Sequence, residues 1–122
     1  MNVVDSSAWL SYFANEPCAD ALAAPLQDRQ SLLVPTITLT EVFKTAAHQR
    51  DEQSAMRAVA QMKRCRVIPL NDSLAIEAAR FGLRHKLPLA DSIIYATARH
   101  YDALLWTRDA DFKDLPGVKY FA

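Results

Sequence analysis

The chain has 122 residues, fourteen basic and fourteen acidic, and a formal net charge of zero. That length suffices for one hydrophobic core, and 51% hydrophobic with 23% charged residues excludes an intrinsically disordered chain. Two glycines in all exclude the glycine loops that cradle nucleotide phosphates, and zero net charge leaves any nucleic-acid contact to local basic groups.

Asn2 to Val4 reads as a short buried strand ending at Asp5, after which Ser6 and Ser7 can cap a helix with Trp9, Tyr12 and Phe13 on one face. This opening lacks the basic leader of a secretory signal. Cys18 and Cys65 show no metal-ligand spacing, as expected of thiols in a reducing cytoplasm. A second helix, Cys18 to about Gln27, is expected to be interrupted or bent at Pro25. Leu32 to Val34 is a strand stopped at Pro35. A third helix starts at Thr36, with Ile37, Val42, Phe43 and Ala46 as its apolar members and Glu41 in its first half. Asp51 to Arg64 reads as a fourth helix with Met56, Val59, Ala60 and Met62 facing inward.

Val67 to Leu70 is the next strand. Asn71 or Asp72 then caps a helix to about Arg84, with Leu74, Ala75, Ala78 and Phe81 as its buried stripe. Pro88 opens a further apolar-striped helix that carries Asp91 at its start and Tyr95 one turn on, the latter a core residue by its neighbours Ile94 and Ala98. The strand Ala103 to Trp106 delivers Thr107, Asp109 and Asp111 at its far end, and Val118 to Phe121 is a last strand at a sheet edge. No segment is long and apolar enough to span a bilayer. The expectation is one α/β domain over residues 1–122, with a mainly parallel sheet of four to five strands and helices on both faces.

Each acidic residue has an ordinary explanation by itself. Asp5 and Asp91 stand where helices begin, Asp109 and Asp111 lie in a turn, and Glu41 can pair along its own helix. Together they imply more, because ligands of open parallel sheets gather at the carboxyl ends of the strands. Carboxylates meeting there repel one another unless a cation sits among them, and an all-oxygen set suits Mg²⁺ or Mn²⁺ rather than zinc or iron. Such a centre activates water and stabilises charge on a phosphodiester. For an RNA partner, the basic candidates are Lys63, Arg64 and Arg66, the pair Arg84 and Lys86, and Arg99 and Arg108.

The segments VVDSSAW, TLTEVFK, LPLADSIIYATA and LLWTRDADF, with the closing VKYF, resemble a PIN-domain ribonuclease, in particular the compact VapC-like toxins of bacterial toxin–antitoxin pairs. They occur in that family's order over nearly the whole chain. The resemblance implies a PIN-like fold and Mg²⁺-dependent hydrolysis of RNA, such as tRNA or other structured RNA, with Mn²⁺ able to substitute. It makes Asp5, Glu41, Asp91 and Asp109 the catalytic, metal-binding acids, with Ser6 and Thr107 as hydroxyls that orient carboxylates or water. Asp111 is expected to cap the turn before Phe112 rather than to touch metal. His48, His85 and His100 fall outside these segments. The implied partners are RNA, a cognate VapB-like antitoxin and a second copy of the chain, with the helices between Thr36 and Arg64 as the dimer surface.

Other readings are a PIN-fold RNA-processing nuclease without an antitoxin and a non-catalytic protein-interaction module. A haloacid-dehalogenase-like phosphatase needs a second Asp two residues after the first, where this chain has Ser7.

Overall fold

The computed structural model describes residues 1–122. Its chain order is β1 (Asn2–Val4), α1 (Ser6–Phe13), α2 (Ala19–Gln27), a 3-10 turn (Arg29–Ser31), β2 (Leu32–Pro35), α3 (Thr36–Gln49), α4 (Glu52–Met62), β3 (Arg66–Ile68), α5 (Asp72–His85), α6 (Leu89–His100), β4 (Leu104–Thr107), a second 3-10 turn (Ala110–Phe112) and β5 (Val118–Tyr120). The five strands form one sheet in the order β3-β2-β1-β4-β5, and every pairing is parallel. The fold class is α/β, the sheet wholly rather than mainly parallel.

Alternation along the strands divides the core into two layers. Val3, Leu33 and Leu105 face α5 and α6, where they meet Leu74, Ile94, Tyr95, Ala98 and Phe112. Val4, Leu32 and Val34 face the other way, onto Ala8, Trp9, Leu22, Leu26, Val42, Ala58 and Met62 of α1 to α4. A strand buried on both faces has no polar side, so Val-Val and Leu-Leu-Val read as continuous apolar runs.

β1 lies at the centre, between β2 and β4. The chain passes from β1 to β2 on one side and returns to β4 on the other, so strand order reverses between β1 and β4. The carboxyl ends of these two strands frame the crevice that this topology leaves open.

Several local readings change. Of the residues that could cap α1, Asp5 rather than Ser6 or Ser7 does so, its side chain accepting from the Ala8 amide as its place at the helix start allows. α2 runs through Pro25 and stops two residues later. In α4 the buried residues are Ala55, Ala58 and Met62, whereas Met56 is 57% exposed, because small side chains let α4 lie close against the α1 and α3 layer. Asn71, rather than Asp72, caps α5, and Ala75 is exposed. β3 ends at Ile68 because Pro69 has no amide to continue the ladder, which leaves Leu70 44% exposed. Tyr95 is a core residue, with its hydroxyl donating to the Pro116 carbonyl at 2.8 Å. No helix is long and apolar enough to cross a membrane.

Candidate metal centre

Asp5 leaves the end of β1 almost wholly buried, 3% exposed. Three donors hold its carboxylate. The Thr107 hydroxyl donates to Oδ2 at 2.6 Å, while the Ser7 hydroxyl at 2.7 Å and the Ala8 amide at 3.0 Å donate to Oδ1. The hydroxyls are fixed in turn by the end of β4: the Arg108 amide donates to Ser7 Oγ at 3.2 Å and the Asp109 amide to Thr107 Oγ1 at 2.9 Å. This network sets the carboxylate in one orientation before any ligand arrives. In sequence Ser7 reads only as a helix-cap candidate, since nothing in a Ser-Ser pair at a helix start distinguishes the one that turns back to the preceding acid.

Asp91 enters from the first turn of α6, which has no side-chain cap. Its oxygens meet those of Asp109 and Asp111, one atom from each residue lying within 4.8 Å of the others. Asp109 and Asp111 divide their tasks differently from the expectation. Asp109 caps the 3-10 turn, its Oδ1 accepting from the Asp111 amide at 2.9 Å, while Asp111 turns an exposed carboxylate back toward Asp91. Phe112, fully buried against Tyr95, pins the turn to the core.

Glu41 reaches the same region from α3 and accepts from the Ser6 hydroxyl at 2.6 Å. The third helix and the first are thereby joined at the crevice. Asp5 and Glu41 stand outside the 4.8 Å cluster but close enough for their charges to act on Asp91.

The electrostatics are those of acids crowded together in a half-dry cleft. Burial pushes Asp91 up to about 7, aided by the charge and hydrogen bonding of Asp109 and then by Glu41 and Asp5. Burial likewise pushes Asp5 up to about 6; its hydrogen bonds from Thr107, Ala8 and Ser7 oppose the shift and the Asp109 charge adds to it. The nearest arginine in sequence does not relieve this charge. Arg108 turns away to Ser11 at 2.9 Å and Glu16 at 2.6 Å. An all-oxygen set in which Asp5 and Asp91 resist ionisation, with no ammonium or guanidinium paired to it, fits a hard divalent cation. Asp91, Asp109 and Asp111 supply the closest set, with Asp5 and Glu41 behind them.

Of the basic candidates, Arg108 is bound to Glu16, Arg99 faces Asp102 at 3.4 Å, and Arg66 lies over the Tyr101 ring. His48 and His100 are exposed, and His85 stacks on Phe81 and meets Tyr95 edge to face.

The chain is similar to several solved structures. The chain is similar to a toxin–antitoxin complex from Klebsiella pneumoniae at 26% identity and a TM-score of 0.78, covering 98% of this chain and 96% of that one. It is similar in fold to Mycobacterium tuberculosis VapC20, a toxin that cleaves the sarcin–ricin loop, at 19% identity and a TM-score of 0.81, with both chains covered completely. A further likeness is to VapBC2 from Rickettsia felis bound to a DNA fragment from its promoter, at 14% identity and a TM-score of 0.75, covering 99% and 98% of the two chains. Among curated proteins, none matches the sequence significantly. The PIN domain family matches residues 3–118, a span that includes every acid of the crevice, and the chain belongs to the PIN domain family.

Proposed function

We propose that the chain is a Mg²⁺-dependent endoribonuclease, with Mn²⁺ able to substitute, and that it acts as the toxin of a VapBC-type pair, inhibiting translation. The observation that carries this reading is the meeting of Asp91, Asp109 and Asp111 within 4.8 Å, beside the buried Asp5, where strand order reverses. Membership of the PIN domain family supports a nuclease, and the likeness to the Klebsiella pneumoniae complex supports a toxin with an antitoxin partner.

In this mechanism Asp5, Glu41, Asp91 and Asp109 form the acidic set, and Asp111 joins it through its exposed carboxylate. These carboxylates would hold a divalent cation, which when bound would supply activation of water and neutralisation of phosphodiester charge. The protein's own part is positional. Thr107 and Ser7 hold Asp5, Ser6 holds Glu41, and the cap at Asp109 fixes the turn, so the donors need little rearrangement as the reaction proceeds.

The same reading includes a VapB-like antitoxin that covers the crevice, a homodimer and a cytoplasmic location. Between Thr36 and Arg64 the exposed large apolar side chain is Met56, whereas α5 exposes Ile76 at 58% and Leu83 at 85%, and α6 begins with Leu89 at 80%. Exposed apolar side chains therefore lie on α4, on α5 and at the start of α6, and the dimer surface is proposed on the helices between Thr36 and Arg64.

Purified protein free of any antitoxin, incubated with total cellular RNA and Mg²⁺ or Mn²⁺, is expected to give discrete fragments. They disappear with EDTA and with Asp91→Asn. Folded protein that neither cuts RNA nor binds Mn²⁺ overturns the nuclease reading and leaves an interaction module.

A further inference from the structure

The edge strand β5 ends beside the acidic crevice. Parallel pairing sets Tyr120 opposite Thr107 and Lys119 opposite Trp106, and the Phe121 amide donates to the Thr107 carbonyl at 2.9 Å. The end of β5 is therefore one strand spacing, about 4.8 Å, from the strand whose Thr107 holds Asp5.

Each face of this edge carries an ammonium over an aromatic ring. On one face Lys113 Nζ lies 5.7 Å from the centre of the Tyr120 ring. On the other, Lys119 Nζ lies 4.9 Å from the Trp106 ring and 6.0 Å from that of Phe121, and these two rings stack at 5.8 Å. Lys113 follows the 3-10 turn, two residues after Asp111 of the acidic cluster. Both lysines are exposed and neither is in an ion pair, not even Lys113 with the adjacent Asp114. Arg108, on the same border, is already committed to Glu16.

A polyanion approaching a group of carboxylates is repelled unless cations flank its path. The rings beneath the two ammonium groups limit the rotamer freedom that the lysines lose on contact with a ligand. We propose that the carboxyl end of β5 is the substrate-binding edge of the crevice, where Lys113 and Lys119 contact phosphates of one single-stranded RNA segment from opposite sides. The proposal rests on the ribonuclease reading for the identity of its ligand.

The test measures binding of a labelled single-stranded oligoribonucleotide to Asp91→Asn protein in Mg²⁺ at several KCl concentrations, beside cleavage by the otherwise wild-type protein. Adding Lys113→Gln and Lys119→Gln is expected to lower the slope of log affinity against log salt by about 1.4, at about 0.7 per phosphate contact on a single strand. Lys113→Arg with Lys119→Arg retains the slope, and Arg50→Gln with Arg57→Gln, exposed at the junction of α3 and α4, leaves it unchanged. An unchanged slope in the glutamine pair, with wild-type cleavage intact, overturns the binding edge alone. The expected drop without any cleavage by wild-type protein supports the edge and overturns the nuclease. Protein that binds no RNA overturns both.

Discussion

The Thr107 hydroxyl donates to Asp5 Oδ2 at 2.6 Å across a sequence separation of 102 residues. Because Thr107 Oγ1 also accepts from the Asp109 amide at 2.9 Å, one threonine locks the ends of β1 and β4 to each other. Thr107→Val keeps the shape and removes the donor. It leaves a buried carboxylate short of one partner, at a cost of about 1–3 kcal/mol, and is expected to weaken Mn²⁺ binding roughly 10- to 100-fold. Thr107→Ser retains most of both. Thermal unfolding with titration calorimetry checks this, and unchanged Mn²⁺ affinity in the valine variant would remove Thr107 from the centre.

The crowded acids set a pH dependence of stability. Asp91 is pushed up to about 7 and Asp5 to about 6, both from 3.8, so between about pH 4 and 7 the folded state binds more protons than the unfolded one. Stability of the metal-free protein therefore falls as pH rises through that window and levels off above it. Asp91→Asn flattens the fall and is more stable than wild type in EDTA at pH 8. Divalent metal reverses the order by stabilising only the protein with its acids intact. Melting curves at pH 5 and 8, with EDTA and with Mn²⁺, give the comparison; a wild-type melting temperature that rises from pH 5 to 8 in EDTA contradicts it.

Asp109 and Asp111 separate by what else they do. Asp111 makes no cap and offers only its carboxylate to the cluster, so Asp111→Asn is expected to lower Mn²⁺ affinity on the order of tenfold with little change in stability. Asp109→Ala loses affinity and also its cap, at about 1 kcal/mol. If Asp111→Asn binds Mn²⁺ as wild type does, that carboxylate is not a ligand.

Phe112 links the core to the centre. It is fully buried and closes the 3-10 turn that Asp109 caps and that contains Asp111. Phe112→Ala is expected to cost about 3–5 kcal/mol, and Mn²⁺ affinity should drop in protein that remains folded at low temperature. Phe112→Leu should recover most of both. Affinity unchanged in the folded alanine variant would show the turn to be held by its cap alone.

Much of the architecture was legible in order because each strand is a short apolar run and most helices carry an apolar stripe. β1, the start of α3 at Thr36 and the edge position of the last strand are where the pattern puts them. α4 is the exception, since ranking by hydrophobicity places Met56 inside, whereas close packing selects the smaller Ala55 and Ala58. Lys113 and Lys119 are not distinguishable in sequence for a related reason. A lysine over a ring looks in sequence like any surface lysine, and the rings of Tyr120 and Trp106 reach it only once β4 and β5 pair.

The acids themselves are properties of the sequence. Asp5 at a strand end, Asp91 in a first helical turn and Asp109 with Asp111 after β4 are set by local pattern, as is their placement toward the carboxyl edge of a parallel sheet. Which oxygens meet is decided by tertiary structure alone. Asp111 stands in the cluster beside Asp109, one of whose oxygens accepts from the turn's own amide, and Ser7 donates to Asp5 while accepting from the Arg108 amide. Local sequence fixes where a side chain starts. Contacts a few ångströms long between distant segments fix where it ends, and those exist only when the sheet has closed.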